Sequence, residues 1–236
     1  MKILGVIGGL GPMATAYFLE LLAGMTEVTC DQEHIPVIVQ SIPQTPDRTA
    51  YILNHQERNP LSYLIEAGKK LRQAGADYIA IPCVTAHYFY SELCKQINLP
   101  VISLLDNVAI YFENKGIKTI GLLATTGTVQ SEIIQSLLQK KGIDTVVPDE
   151  HLQNIVMSTI YDQVKAGKSV DIESFLEVEK YLKNQGAESL LLGCTELSLL
   201  KRDFEMSDLY VDVLEILAAA SIKWNGLPVK EYHRLV

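Results

Sequence analysis

Cysteine is scarce in this chain: four residues in 236, at positions 30, 83, 94 and 194. That is too few to staple a chain of this length, so a reducing, cytoplasmic setting with free thiols is expected. Long apolar runs are missing too; none approaches the ~18 residues a membrane-spanning helix needs. Met1 to Leu10 carries one lysine and then a glycine-rich loop, not a basic stretch leading into an apolar one, so no secretory leader is expected. Positive charge is in the minority, 20 Lys and Arg against 28 Asp and Glu, for a net charge of -8. This balance argues against nucleic acid or an anionic membrane surface as the main partner. A small anionic substrate stays open, given a few cations placed locally. No proline-, serine- or charge-rich linker divides the chain. With 48% apolar and 20% charged residues it reads as one large globular domain, or two small ones sharing a tight interface.

What is present points to an α/β fold. Short continuous apolar runs at Ile3 to Ile7, Val37 to Val39, Tyr78 to Ile81, Ile120 to Ala124 and Leu190 to Leu192 fit strands buried on both faces of a parallel sheet. Segments of helical period lie between them. Leu61, Leu64, Ile65, Leu71 and Ala74 share one face behind Asn59-Pro60, an N-cap and a first-turn proline. A second helix is expected from Asp171, burying Phe175, Val178, Tyr181 and Leu182. A third is expected from about Val129 through Leu138, closed by Gly142. Ligands in such a fold bind beyond the carboxyl ends of the strands.

The chain also repeats itself. Lys2 to Thr15 aligns with Lys118 to Ser131, matching glycines at 5/121 and 11/127 and a hydroxyl residue at 15/131. Gln73 to Thr85 aligns with Asn184 to Thr195, with Gly75 eight residues before Cys83 and Gly186 eight before Cys194. Two matches in the same order mean duplication. The expected architecture is therefore two pseudosymmetric, doubly wound α/β domains with mainly parallel sheets and a site in the cleft between them. The first takes residues 1–100 plus 209–236, the second 101–208. A helix-like run from about Leu209 packs back on the first.

Each duplicated cysteine stands where a buried strand ends, at the functional edge of its sheet. Either is, taken singly, an ordinary small buried hydrophobe. Together, if the halves face each other, Cys83 and Cys194 reach one cleft from opposite sides. Inverting a stereocentre by proton transfer needs that arrangement: one group removes hydrogen from one face and another returns it on the other. A thiol pair suits the task, because its free pKa of ~8.5 is readily tuned by local charge.

Gly8-Gly-Leu-Gly-Pro-Met-Ala-Thr15, Pro46-Asp-Arg48-Thr, Pro82-Cys-Val-Thr-Ala-His87, Leu123-Ala-Thr-Thr-Gly-Thr128 and Leu192-Gly-Cys-Thr-Glu196 together resemble the aspartate/glutamate racemase family, nearest its aspartate racemase branch. The resemblance spans nearly the whole chain. It implies racemisation of L- and D-aspartate or glutamate without pyridoxal phosphate or any other cofactor, and often a homodimer. It also implies that Cys83 and Cys194 are the two acid/base residues and that Arg48 and Lys165 hold the substrate's side-chain carboxylate. The residues after each cysteine, Thr85 and Thr195 among them, would hold the α-carboxylate. Met13 and Val84 complete the expected substrate-binding set. Val84 is a departure, since the family usually has asparagine there.

Other readings of these residues stand beside that one. Arg48 is expected in a loop, where most arginines are merely solvated, though guanidinium pairs well with carboxylate. Lys165 precedes Gly167 and also suits a helix C-terminus. Thr85 and Thr195 suit helix caps as well as donors. Glu196 is either a modulator of the site or a first-turn helix glutamate, and His87 either tunes Cys83 or is satisfied by backbone. Cys30 and Cys94 have no counterpart in the other half and are read as structural. His34, His55, His151 and His233 lack metal-site spacing. Gly9-Leu-Gly11-Pro-Met-Ala14 fits a dinucleotide loop, but no acidic residue ends the second strand and Pro12 removes a donor, so no nucleotide is expected. A related cysteine-pair isomerase, decarboxylase or hydantoin racemase would not need both cations. A non-catalytic amino-acid sensor is motivated by Val84. Pyridoxal catalysis is disfavoured, because no lysine sits at a comparable strand end.

Overall fold

The structure, a computed structural model, describes residues 1–231, so His233 lies outside the described residues. Its first half runs β1 (Leu4–Gly8), α1 (Pro12–Met25), β2 (Val37–Ser41), α2 (Arg48–Leu53), α3 (Leu61–Gln73), β3 (Tyr78–Ala80), α4 (Tyr90–Ile97) and α5 (Leu104–Lys115). The second runs β4 (Thr119–Leu123), α6 (Thr126–Ser131), α7 (Gln135–Gln139), β5 (Asp144–Val146), α8 (Glu150–Ser158), α9 (Ile172–Asn184), β6 (Ser189–Leu192), α10 (Ser198–Asp203), β7 (Tyr210–Asp212) and α11 (Val213–Trp224).

Both sheets are parallel. The first has the order β2-β1-β3, extended past β3 by a bridge from Ile79 to Val101; the second has the order β5-β4-β6-β7. Strand for strand the two orders are the same, with Val101 standing where β7 stands. α5 follows the one and α11 the other, so these two helices occupy equivalent places. They pack against each other, and α11 also lies along α1 while α5 also touches α7. Tyr78 of β3 donates to the carbonyl of Ser221 and stacks on Trp224, fixing α11 to the first sheet. One apolar cluster accordingly runs through both halves, from Phe18 and Tyr78 to Phe112, Ile120 and Leu217, with a separate outer core in each half.

Several expectations meet the structure with differences. Central strands β1, β3, β4 and β6 fall on the expected apolar runs. β2 is instead a half-exposed edge strand, as its position beside β1 alone dictates. β5 and β7 arise from three-residue stretches too short to show periodicity. Asp171 caps α9 by accepting from the Ser174 amide, and Asn59 accepts from Leu61 at the start of α3. The helix expected over Val129 to Leu138 is broken into α6 and α7, with Glu132 left-handed at φ 53. The physical reason is that the Val129 carbonyl, which would carry the helix onward, is taken by the Glu132 amide and by Nε2 of Gln135.

The repeat has structural causes. Gly75 and Gly186 lie in the left-handed region, at φ 97 and φ 92, in the tight turns from α3 to β3 and from α9 to β6. Gly121 in β4 admits the helix packed on its sheet: a Cβ there would stand 2.5 Å from Leu190 Cδ2 and 3.1 Å from Leu182 Cβ. Its counterpart Gly5 is pressed likewise by Ile79 and Ala76. Gly121→Ala is therefore expected to destabilise the fold by about 1–3 kcal/mol through overpacking, read as a lower urea midpoint.

Candidate active site

After β3 and after β6 the chain turns sharply, and each turn delivers one cysteine. The amide of Cys83 donates back to the Ile81 carbonyl at 2.7 Å, and that of Gly193 to Leu191 at 2.9 Å. Both sulfurs are buried, and both line one small cavity between the halves. Its wall includes Arg48, Thr49 and Val84 from the first half and Thr125, Tyr161 and Lys165 from the second. It has room for about one water. An outer chamber of about 360 Å³ adjoins it across Leu10, Asp47, Arg48, Lys165 and Glu196, which line both.

The two sulfurs have opposite electrostatic neighbours. Sγ of Cys194 donates to Oε2 of Glu196 at 3.0 Å, and the same carboxylate accepts the Gly11 amide from across the cleft at 3.1 Å. Burial pushes the Cys194 thiol well up, and Glu196 pushes it further, while Lys165 opposes both. Cys83 lies 3.3 Å from the Thr85 hydroxyl and beside the Arg48 guanidinium, which it helps to keep charged. Arg48 is 7% exposed; burial weakens its charge, but Cys83, Asp47 and Glu196 outweigh that. One of its terminal nitrogens donates to the Leu10 carbonyl at 2.7 Å and the other to Pro46 at 3.3 Å, whereas Nε is buried with no partner.

Across the mouth runs a polar latch. Asp47 caps α2 by accepting from Ala50, and its carboxylate also accepts the Tyr161 hydroxyl at 3.1 Å and faces Lys165 Nζ at 3.8 Å. The Lys165 ammonium lies 3.8 Å from the Tyr161 ring centroid. Burial weakens the lysine's charge, yet Glu196, Tyr161, Cys194 and Asp47 together raise its pKa. The Tyr161 hydroxyl is pushed up to about 12, mainly by burial. Beside the latch the Thr49 hydroxyl donates to Thr125 at 3.0 Å, a further bond between the halves.

Most of the expected residues meet here, though not always in the expected way. Arg48 begins α2 and does not lie in a loop. Lys165 follows a π-helical turn, Thr159–Val164, forced by the amide of Lys165 reaching back to Ile160. Thr85 and Thr195 cap nothing; their hydroxyls face Cys83 and Glu196. Met13 stands apart: it is exposed on the first turn of α1 and lines only the outer chamber. Glu196 precedes α10 rather than sitting in its first turn, and its side chain turns into the site. His87 has both ring nitrogens on backbone groups, and burial lowers its pKa. Asp47, Tyr161, Thr49 and Thr125 were not anticipated as site residues. The one signal for Asp47 is its capping position before Arg48. Cys30 is exposed and far from this chemistry in the sequence. Among the described residues no group of His, Cys, Asp and Glu is arranged to hold a metal, and no helix is long and apolar enough to cross a membrane.

Duplicated parallel α/β halves, each placing a strand-end cysteine in a shared, cation-flanked cavity, define a class of small-molecule enzyme. Residues 7–220 match the family described as Asp/Glu/Hydantoin racemase. The Picrophilus torridus aspartate racemase superposes with a TM-score of 0.86 at 33% identity, over 98% of this chain and 96% of that one. The broad specificity amino-acid racemase RacX of Bacillus subtilis is 23% identical over 93% of this chain and 96% of its own length. Glutamate racemase of Haemophilus influenzae is 32% identical over 55% of this chain and 48% of its own. The chain belongs to the Asp/Glu/hydantoin racemase family and is an isomerase of the racemase kind.

Proposed function

We propose that this chain interconverts L- and D-aspartate, with glutamate as the alternative substrate, by cofactor-independent proton transfer between Cys83 and Cys194. The observation that carries the reading is that both buried sulfurs, from equivalent strand ends of opposite halves, line one cavity bordered by Arg48 and Lys165. The aspartate racemase named above supports the choice of substrate.

In this scheme Arg48 and Lys165 take the side-chain carboxylate, and donors about Thr85 and Thr195 take the α-carboxylate. The cavity has room for no more than about one water, so substrate admission requires the Asp47–Tyr161–Lys165 latch to part and re-form around the bound acid. Cys83, whose nearest fixed charge is a cation, acts first as base. The Cα–H bond breaks, its proton goes to Cys83 sulfur, and its electron pair spreads onto the α-carboxylate. Cys194, holding its proton toward Glu196, then protonates the opposite face and is left as thiolate. In the reverse direction that thiolate is the stronger base for having Glu196 beside it. Positioned acid/base groups contribute about 10²–10⁴ each. Stabilisation of the developing charge by the two cations and backbone donors supplies the rest. The reading includes a cytoplasmic homodimer, whose dimeric state sedimentation of the purified protein checks.

The test is incubation without added cofactor in deuterated water with each enantiomer of aspartate and glutamate. Deuterium entering at Cα with inversion is the expected result; no exchange with any of the four overturns it. Glu196→Gln removes the carboxylate charge from Cys194. Its thiol is then expected to ionise at lower pH, and its alkylation at neutral pH to speed up severalfold, measured by peptide mass spectrometry.

Val84 favours a second reading. It is buried, lines the cavity and offers no hydrogen bond where an amide would bind substrate. A less polar amino acid fits that wall better, and a relative of broad specificity is consistent with it. Val84→Asn is expected to raise affinity for aspartate by about 1–3 kcal/mol if aspartate is the substrate. Kd by calorimetry decides between the two.

A further inference from the structure

Four residues after each cysteine stands a buried polar side chain that the chemistry above does not use: His87 after Cys83 and Ser198 after Cys194. The His87 ring bridges two backbone groups. Nδ1 meets the Cys83 carbonyl at 2.9 Å, and Nε2 meets the amide of Leu104, the first residue of α5, at 3.3 Å. A carbonyl can only accept and an amide can only donate, so the ring is held neutral with its proton on Nδ1. In the other half the Ser198 hydroxyl donates to Oδ1 of Asp212, and that same oxygen accepts the amide of Leu214, at the start of α11, at 2.8 Å. The chemistry differs and the connection is the same. Each cysteine loop is fastened, through its fourth following residue, to the first turn of the helix that packs across the two halves.

We propose that His87, and Ser198 together with Asp212, are positioning residues that set the two sulfurs in opposed register by tying each cysteine loop to α5 or α11. This rests on the reading of Cys83 and Cys194 as the proton carriers. The helices supply the frame: α5 and α11 lie against each other, so a loop fixed to one is fixed relative to the loop fixed to the other. Asp212 is fully enclosed, with Ser198 and Lys201 facing it from α10 and Glu215 from α11, where Lys201 and Glu215 pair at 2.7 Å. Burial first and Glu215 second push its carboxyl up to about 7, so an asparagine reproduces the acid's neutral form and keeps the accepting oxygen.

The experiment alkylates the folded protein with iodoacetamide and follows each cysteine by peptide mass spectrometry, with exposed Cys30 as internal standard. Ser198→Ala is expected to change the rate at Cys194 at least threefold with Cys83 unchanged. His87→Asn, which keeps a donor for Cys83 but releases Leu104, is expected to change Cys83 and spare Cys194. Asp212→Asn keeps an oxygen to accept both bonds and is expected to behave as the unaltered chain. In racemisation the first two variants are expected to lose about 10–100-fold in kcat with KM within about twofold, because a small misplacement of a reacting group is costly. Equal changes at both cysteines, or unchanged alkylation with full kcat, overturns the proposal. Should Ser198→Ala not fold, His87→Asn tests the same claim from the other half. If the unaltered chain racemises nothing, the functional reading fails, and the alkylation rates still decide the tethers.

Discussion

Cys83→Ser and Cys194→Ser are each expected to lower racemisation of the preferred substrate by about 10²–10⁴-fold, and the double variant to be no slower than the worse single one. In the proposed scheme the sulfurs act as a unit: with either replaced by a hydroxyl, a far weaker acid, the carbanion is not formed or is not trapped on the far face. Non-additivity separates this scheme from one in which a single cysteine works and the other merely packs. In that case one substitution alone would be severe. Chiral chromatography of the products gives both rates, and full activity in either single variant refutes the two-base scheme. The Cys194 thiol is hydrogen-bonded to Glu196 inside a cavity with room for about one water, so a serine there has no bulk solvent to relay the proton in its place.

Much of the fold and of the candidate site is legible in the sequence, for physical reasons. The buried central strands announce themselves as apolar runs. The duplication announces itself because the same local requirements recur: a left-handed turn at Gly75 and Gly186, and space for a packed helix at Gly5 and Gly121. Cys83 and Cys194 are found by that symmetry, by their places at strand ends and by the motifs around them. Illegible residues owe their roles to contacts across the cleft. Glu196 looks like a helix-start glutamate until the Gly11 amide, 185 residues away in sequence, is seen to hold its other oxygen. Asp47 shows in the sequence only as the neighbour of Arg48, and the placement of Ala50, Tyr161 and Lys165 makes it both cap and latch. The break after α6 is hidden for a similar reason, since it depends on Gln135 capturing one carbonyl.

Symmetry of backbone does not extend to charge. A cation stands beside Cys83 and a carboxylate beside Cys194, although the two loops descend from one pattern. In the proposed two-base scheme one sulfur gives up a proton in each direction, and the asymmetry of Arg48 and Glu196 sets the two sulfurs apart without favouring either product at equilibrium.

Arg48 is for that reason the second residue whose replacement is expected to be severe. Arg48→Lys keeps the charge but loses the planar fork, and with it simultaneous reach to the Leu10 carbonyl and to a bound carboxylate. Breaking a buried, hydrogen-bonded charge contact costs about 2–5 kcal/mol, so kcat/KM is expected to fall by about 30- to 4,000-fold. Lys165→Ala is expected to cost less, since its side chain is 25% exposed and its charge partly screened. The unpartnered Nε of Arg48 gives the comparison its point: a substrate oxygen reaching it would satisfy a buried donor that this guanidinium leaves unpaired. Arg48→Lys should then lower affinity for succinate, which has the carboxylates but no reactive stereocentre, by a similar factor. Calorimetry with succinate measures this apart from the chemistry. An Arg48→Lys variant that binds succinate as the unaltered chain does would show that the carboxylate is held elsewhere.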